Sequence, residues 1–429
     1  FEYVYLWPAL MLDMANIYFE LLQIAIGERK MLSRSLSDND WQRMFIFCKR
    51  QALLGVCFSG VEKLYGLGES CPLDLWMKWY GYAVRIETLN QKLNMQCREL
   101  TAQIENDGFG CCVLKGQGNL LNYSENIRYR RNPGDIDLWV SSRFMRDAGT
   151  EAGMCSENSI KGMVVENDAK SVSCYGCRDV IRYVRNQYRQ SAAGKRVKIC
   201  YHHIEAPSVD GTHIEVHYRP AFMYSPLRNI RLQRWFAFNM DECVKNRTCM
   251  GFSVPTASVN VVYHMCHLFS HYFETGLGLR QLMDYYFVLM AWHNDCMDSN
   301  NTQFNELLAE GIGKNCMSKE EVMHTLKSFG VAKFAAAVMW VLHEVFAMSS
   351  RYYICEPNEK EGRRLLDEIM RGGNFGQYDM RCMALKNGGT IKHGIWKLKR
   401  IAGLVRGYPE HALCEPFFRV WHLGWRMIH

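Results

Sequence analysis

Apolar and polar positions change their spacing twice along this chain. Up to about residue 106 the apolar residues recur every three or four positions, the period of one face of a helix. Leu10 to Ile26 follows that period and is interrupted by Asp13, Asn16, Glu20 and Gln23, which predicts an amphipathic core helix. A second long helix is predicted from Leu73 to about Asn106, carried by Leu75, Trp79, Ala83, Ile86, Leu89, Leu93, Met95 and Leu100. Asp107-Gly108-Phe109-Gly110 then stops the helical pattern, and the spacing shortens to two. Cys111 to Lys115, Asp135 to Val140, Val197 to Ala206 and Thr212 to Tyr218 read as strands, with a short helix around Asn119 to Ser124 and a basic helix near Val180 to Gln190. Pro207-Ser208-Val209-Asp210-Gly211 predicts the turn of a hairpin. From about residue 257 the helical period returns in Val259 to Ala291, Lys319 to Met348 and Glu359 to Met370, before a less regular basic tail. The expected class is α+β, with a core of strands and helices at 107–256 between an N-terminal helical region, 1–106, and a C-terminal one, 257–429.

The strand from Asp135 to Val140 carries the first candidate chemistry. Side chains alternate along a strand, so Asp135 and Asp137 share one face while Ile136, Leu138 and Val140 take the other. Two carboxylates held side by side repel unless a cation lies between them, which points to a divalent metal. Upstream, Lys115-Gly116-Gln117-Gly118 offers backbone N–H groups and an ammonium to phosphate if Asn119 opens a helix. Arg131, four residues before Asp135, is placed either to neutralise a leaving pyrophosphate or to fix the loop through a carboxylate. In the second strand of the hairpin His213, Glu215 and His217 share a face, which packing alone does not explain, and Glu215 supplies a third acid. His217 reads equally as a metal or phosphate ligand and as a hydrogen-bonded core residue.

Acid spacing by itself means little. Asp38-Asn39-Asp40 repeats it in front of Trp41, Met44, Phe45, Phe47 and Cys48, where it reads as helix capping and first-turn charge. His264, His267 and His271 at helical spacing read as core histidines, with a zinc site as the alternative, and Arg280 and Asp284 as a buried or helix-surface ion pair; His202 and His203 carry the same pair of readings as the other histidines. Most of the 18 cysteines stand singly in apolar segments, as reduced thiols in a cytoplasmic setting do. Cys174 and Cys177 alone have the spacing of a ligand pair, with no second pair to complete a zinc site.

The 429 residues allow two or three domains at ~150 residues each, and 48% hydrophobic content fills their cores and excludes general disorder. No apolar run reaches the ~18 residues of a membrane span. The chain opens on Phe1 rather than Met, from which an incomplete start is expected. Within the net charge of +7, two runs stand out: Arg178 to Lys198, with seven basic residues and one acid, and Arg381 to Arg406, with seven and none. Arg178, Arg182, Arg185 and Arg189 step by four, three and four, so one helix face carries them. Each run reads as a solvated face, with RNA or polyphosphate as the functional alternative.

Leu114 to Gly118, Arg131-Asn132-Pro133-Gly134-Asp135-Ile136-Asp137-Leu138, Ile214 to Pro220, Gly278 to Asp284 and Gly372-Gly373-Asn374-Phe375-Gly376 together resemble the uncharacterised nucleotidyltransferase family of bacterial proteins, within the polymerase-beta-like superfamily. The resemblance spans most of the chain. It implies a small nucleotidyltransferase fold, a mixed sheet backed by helices, with Mg2+ (or Mn2+) held by carboxylates matching Asp135, Asp137 and Glu215. The superfamily's usual Gly-Ser or Gly-Gly turn is here Gly116-Gln117-Gly118, so Gln117 or Lys115 has to take over the phosphate contact. The expected activity is transfer of a nucleoside monophosphate from an NTP to an acceptor hydroxyl on RNA, protein or a small molecule. The alternative is a nucleotide- or RNA-binding module of the same fold without turnover.

Overall fold

The computed structural model describes residues 7–142, 175–189, 197–297, 316–379 and 398–428. In chain order these form α1 (Trp7–Ile26), α2 (Asp38–Arg50), α3 (Leu54–Tyr65), α4 (Leu73–Asn106), β1 (Gly110–Leu114), β2 (Ile136–Ser141), α5 (Tyr175–Arg189), β3 (Lys198–Ile199), β4 (His203–Val209) and β5 (Thr212–His217). There follow α6 (Pro226–Lys245), α7 (Ala257–Glu274), α8 (Leu279–Cys296), α9 (Lys319–Ser328), α10 (Ala332–Phe346), α11 (Glu359–Gly372) and α12 (Pro409–Ile428). The class is α+β, and none of the described helices is long and apolar enough to cross a membrane.

The chain divides into two compact units, neither of them contiguous. One comprises 1–92, 119–133 and 260–412; the other comprises 93–118, 134–259 and 413–429. The flanking helical regions at the two ends of the chain therefore contribute mostly to a single helical unit, and α4 passes from one unit into the other at Leu93.

In the helical unit two polar interruptions of α1, Glu20 and Gln23, have specific partners. Ile17, Leu21, Leu22 and Ile24 are buried, while Glu20 accepts from the Ser33 backbone N–H at 2.8 Å and pairs with Arg29 at 3.0 Å. α1 lies against α3 at Gly60, where a Cβ would stand 2.8 Å from the carbonyl oxygen of Leu21. α2 begins as a capping box: Ser37 is the N-cap and the Asp40 carboxylate returns to the Ser37 N–H at 3.2 Å. Asp40 also pairs with Arg34 at 2.9 Å, so the Asp38-Asn39-Asp40 stretch is helix-start chemistry, with the cap one residue earlier than the acids. His264 on α7 is buried and hydrogen-bonds Asn119 at 2.7 Å, as a core histidine. Cys296 and Cys316 form a disulfide, whereas a reducing setting was the expectation.

The other unit is built on a five-stranded sheet of order β1-β2-β5-β4-β3. β2 and β5 run parallel and the remaining neighbours antiparallel. One face is apolar: Ile136, Leu138, Val140, Ile204, Ala206, Ile214 and Val216 are buried together with Leu93, Cys97 and Ile104 of α4 and Val180 and Val184 of α5. Arg178, Arg182 and Arg185 are exposed on α5, in keeping with their spacing; the side chain of Arg189, residues 190–196 and residues 380–397 of the second basic run lie outside the described residues. So does Cys174, and with it the Cys174–Cys177 pair.

Two local turns differ from the sequence expectation. Val197 to Ala206 is not one strand, because the chain reverses at Cys200 to His202 and makes a hairpin of β3 and β4, closed by Cys200 N–H donating to the His203 carbonyl at 2.8 Å. In the β4–β5 hairpin the turn contracts to Asp210-Gly211, with φ of 49° and 80°. Two successive positive φ values suit a tight turn whose twist matches that of the strands, and Asp-Gly tolerates them. Pro207 to Val209 are then absorbed into β4, at the cost of a register irregularity between Ala206 and Val209.

Candidate functional site

The site lies on the second face of the sheet, and strand register assembles it. Parallel pairing sets Asp137 of β2 opposite Glu215 of β5 and Trp139 opposite His217. Antiparallel pairing sets His203 of β4 opposite His217, and Glu205 opposite Glu215. Since positions two apart share a face, Asp137, Glu215, His217 and His203 project to the same side. Trp139 closes the β2 end of this face edge-on against Phe236 of α6, with ring centroids 5.6 Å apart. Asp135 precedes β2 and is exposed, Asp137 is buried at 6% exposure, and Glu215 is half-buried.

Asp137 Oδ1 accepts from two cations at once, Lys115 Nζ at 2.8 Å and His217 Nε2 at 2.9 Å. His217 Nε2 also stands 3.2 Å from Glu215 Oε2, and His203 Nε2 stands 3.6 Å from Glu215 Oε1. These contacts set the charge states. Burial raises the Glu215 carboxyl, but the His217 bond and the nearby Lys115 outweigh it and hold the group well below the usual carboxylate range. Burial lowers His217, and its bonds to Asp137 and Glu215 reverse the sign, leaving it raised. Lys115 is raised in the same way, burial being overcome by Asp137 and Glu215. Asp135 is raised: partial desolvation at the rim of the site and the charges of Asp137 and Glu215 push its carboxyl up, outweighing the charges of His213 and Lys115. The cluster thus holds more negative charge on its exposed side than its own cations offset. Asp137, Glu215 and His217 each place a ligand atom within 4.8 Å of one another, and two carboxylates with an imidazole form a donor set that suits a divalent cation.

Lys115 reaches Asp137 because the chain kinks directly after β1. Its φ is 45° and Gly116 has φ 5°, ψ −97°, and a Cβ on Gly118 would come 2.4 Å from the Val113 carbonyl oxygen. The glycines therefore serve a tight reversal. They do not open a phosphate-binding helix: Lys115–Gly118 is one short turn, and Asn119 leads only into the 3-10 turn Leu120–Asn122. Gln117 is buried and donates to Asn94 Oδ1 at 2.8 Å, so its amide nitrogen serves the packing of this turn.

Arg131 belongs to the helical unit. Its guanidinium binds Asp284 of α8 through Nε at 2.6 Å and Nη2 at 2.7 Å, both groups being buried, and Tyr123 OH donates to the same carboxylate at 2.5 Å. Of the two roles expected for Arg131, loop fixation by a carboxylate is the one its geometry serves. The charge of Arg280 also helps to lower the Asp284 carboxyl, while its Nη1 donates to the Asn132 carbonyl at 3.1 Å and its guanidinium lies over the Phe375 ring at 5.3 Å.

The sequence reading of His202 and His203 as core histidines did not place them beside Glu215 and His217. They enter through the β3–β4 reversal, which a continuous strand does not contain. Arg219 fixes this turn, donating to the Tyr201 carbonyl at 2.7 Å and covering the Tyr201 ring at 4.5 Å. The available signal was the partnership of a histidine doublet with the His-x-Glu-x-His of the next strand.

Among known families, one described as an uncharacterised nucleotidyltransferase matches residues 37–310, well over half of the chain. No curated protein and no solved structure matches.

Proposed function

The chain belongs to the uncharacterised nucleotidyltransferase family, and from that premise we propose that it moves a nucleoside monophosphate from an NTP to an acceptor hydroxyl, in the manner of polymerase-beta-like enzymes. The observation that carries this reading is the register of β2 and β5. It places Asp137 directly beside Glu215, with Asp135 two residues away on the exposed side. These three carboxylates would hold Mg2+, or Mn2+, which supplies charge neutralisation on the triphosphate and activation of the attacking oxygen.

The protein's own groups bind and orient. Lys115 keeps a positive charge inside the acid cluster, where it is the cationic donor offered to a phosphate. His217 clamps Asp137 and Glu215 together through one nitrogen and so keeps the two carboxylates in place. In the reaction the acceptor oxygen bonds to the α-phosphorus, the α–β anhydride bond breaks, pyrophosphate leaves, and the hydroxyl proton passes to a carboxylate of the cluster. The exposed arginines of α5 favour RNA among the possible acceptors, with protein and small molecules as the others.

A second reading has one observation in its favour. Lys115 and His217 already neutralise Asp137, so the fold stands without an ion and suits a nucleotide-binding module with no turnover. The test is to incubate the protein with each labelled NTP, Mg2+ and fractionated cell extract, and to follow label into RNA, protein and metabolites. Transfer should fall by at least about 100-fold in Asp137→Asn and in Asp135→Asn, the upper end of what even indirect disturbance of metal ligands costs. Labelling that survives both substitutions would remove the acids from the reaction. NTP binding with no labelled product would favour the binding module.

A further inference from the structure

Beside the acid cluster lies a second group of donors, of a different chemical kind. His202, His203 and His217 each present a ring nitrogen within 4.8 Å of the others, and their ring centroids are 4.3 Å (His202–His203), 5.2 Å (His203–His217) and 5.6 Å (His202–His217) apart. Two strands and the turn between β3 and β4 bring them together. His203 and His217 are register partners, and His202 closes the turn while its carbonyl accepts from the N–H groups of Tyr218 at 3.2 Å and Arg219 at 3.1 Å.

Packing accounts for only part of the cluster: His202 Nε2 and His203 Nδ1 hydrogen-bond each other at 2.8 Å. His203 Nε2 and His217 Nδ1 are both buried without a hydrogen-bond partner, and Glu215, 3.6 Å from His203 Nε2, is beyond hydrogen-bonding distance. A buried polar atom left unsatisfied costs about 1–3 kcal/mol, and this arrangement carries two within one small group. Apolar side chains of similar volume would fill the space without that cost. Imidazole nitrogens gathered this closely, two of them unsatisfied, are what a borderline-soft cation selects, whereas Mg2+ prefers oxygen.

We propose that His202, His203 and His217 form a transition-metal site, with Zn2+ as its ion and Glu215 as the group shared with the neighbouring carboxylates. Ligand nitrogens of a four-coordinate zinc, at bonds of about 2.0–2.1 Å, stand about 3.4 Å apart, inside the separation these rings allow. The chain then carries two adjacent cation sites of opposite preference. Oxygen donors from Asp135, Asp137 and Glu215 face one ion, and nitrogen donors face the other. The zinc site shares His217 and Glu215 with the transfer reading and is set apart from it by His202 and His203, to which that reading gives no part.

Co2+ reports on such a site directly, because nitrogen ligation at low coordination number gives intense visible ligand-field bands and strongly shifted imidazole proton resonances. The full chain, free of any affinity tag and stripped with chelator, is titrated with Co2+ alone. One equivalent should bind with these signatures and should be displaced by one equivalent of Zn2+ but not by a large excess of Mg2+. His202→Gln and His203→Gln should each weaken binding at least about 10-fold, while Asp135→Asn leaves it intact. Far-UV circular dichroism checks that each variant is folded. Should His203→Gln unfold, His202→Gln at the edge of the cluster and the wild-type spectra still decide. Absence of imidazole-ligated Co2+ in the wild type overturns the site. So does Co2+ binding that withstands both histidine substitutions and disappears in Asp135→Asn, since the ion would then belong to the carboxylates. Neither result bears on nucleotide transfer, which is read separately by labelling.

Discussion

Asp284 shows how one buried carboxylate can decide the role of a residue far from it in sequence. It receives two bonds from Arg131, at 2.6 and 2.7 Å, and one from Tyr123, at 2.5 Å. Burial alone would raise its carboxyl, but the guanidinium dominates and holds it below the usual range. Removing one member of such a pair leaves the other charged and buried, so Asp284→Ala should cost about 3–5 kcal/mol by denaturant unfolding. The sign of its pH dependence follows from the depression. The contribution is complete above the unfolded-state value of about 3.9 and is lost as pH falls through the lower folded value. The stability gap between wild type and Asp284→Ala should therefore be level from neutral pH to about pH 5 and close only in stronger acid; a gap that closes between pH 5 and 7 would mean that another group carries the effect. Alternation along a strand was enough to place Asp135 with Asp137 and to single out Glu215. The partner of Arg131, 153 positions away, was not legible, because nothing local distinguishes an arginine that will meet phosphate from one that will meet a carboxylate. His203 read as a core histidine for a related reason: its place beside the acids depends on register with His217, which exists only in the sheet.

At the level of elements, hydrophobic period was the reliable guide and turn geometry the weak one. Strands β2 and β5 fall within the residues their alternation predicted, allowing a residue at each end, because Ile136, Leu138, Ile214 and Val216 have one buried face to choose. The turns were harder. Glycine between a strand and a presumed helix suggested a phosphate loop, yet Gly118 is required by the 2.4 Å approach that a Cβ would make to the Val113 carbonyl oxygen. That oxygen is backbone and cannot rotate away. Gly118→Ala should destabilise the sheet unit by about 1–3 kcal/mol, as overpacking does. It should also reduce any nucleotide-dependent activity, because the same turn positions Lys115 on Asp137. Thermal unfolding of the variant, followed beside its NTP labelling, checks both. An unchanged melting temperature would show that the turn relaxes freely and that glycine there answers to something other than the close approach.

For the whole molecule, the order of regions along the chain is a poor guide to what folds together. Reading helical, mixed and helical stretches in turn suggests a sheet-bearing core that could be cut out at 107–256. Yet the apolar face of the sheet is completed by Leu93, Cys97 and Ile104, all before that boundary, and they are 5%, 0% and 6% exposed. Losing a buried side chain of this kind costs about 2–5 kcal/mol, and a domain's total stability is about 5–15 kcal/mol. Removing the C-terminal half of α4 strips three such side chains at once and uncovers their neighbours. The excised segment also carries 119–133, a stretch that belongs to the other compact unit and whose Arg131 would be buried nowhere. A fragment of residues 107–256 should accordingly show no cooperative thermal transition and a collapsed amide proton spectrum, while the full chain melts cooperatively. A sharp transition in that fragment would mean that α4 merely covers a sheet already stable by itself. Period and alternation cannot separate these outcomes, because α4 repeats the same apolar spacing on both sides of Leu93, and only the packed structure shows that its two halves serve different cores.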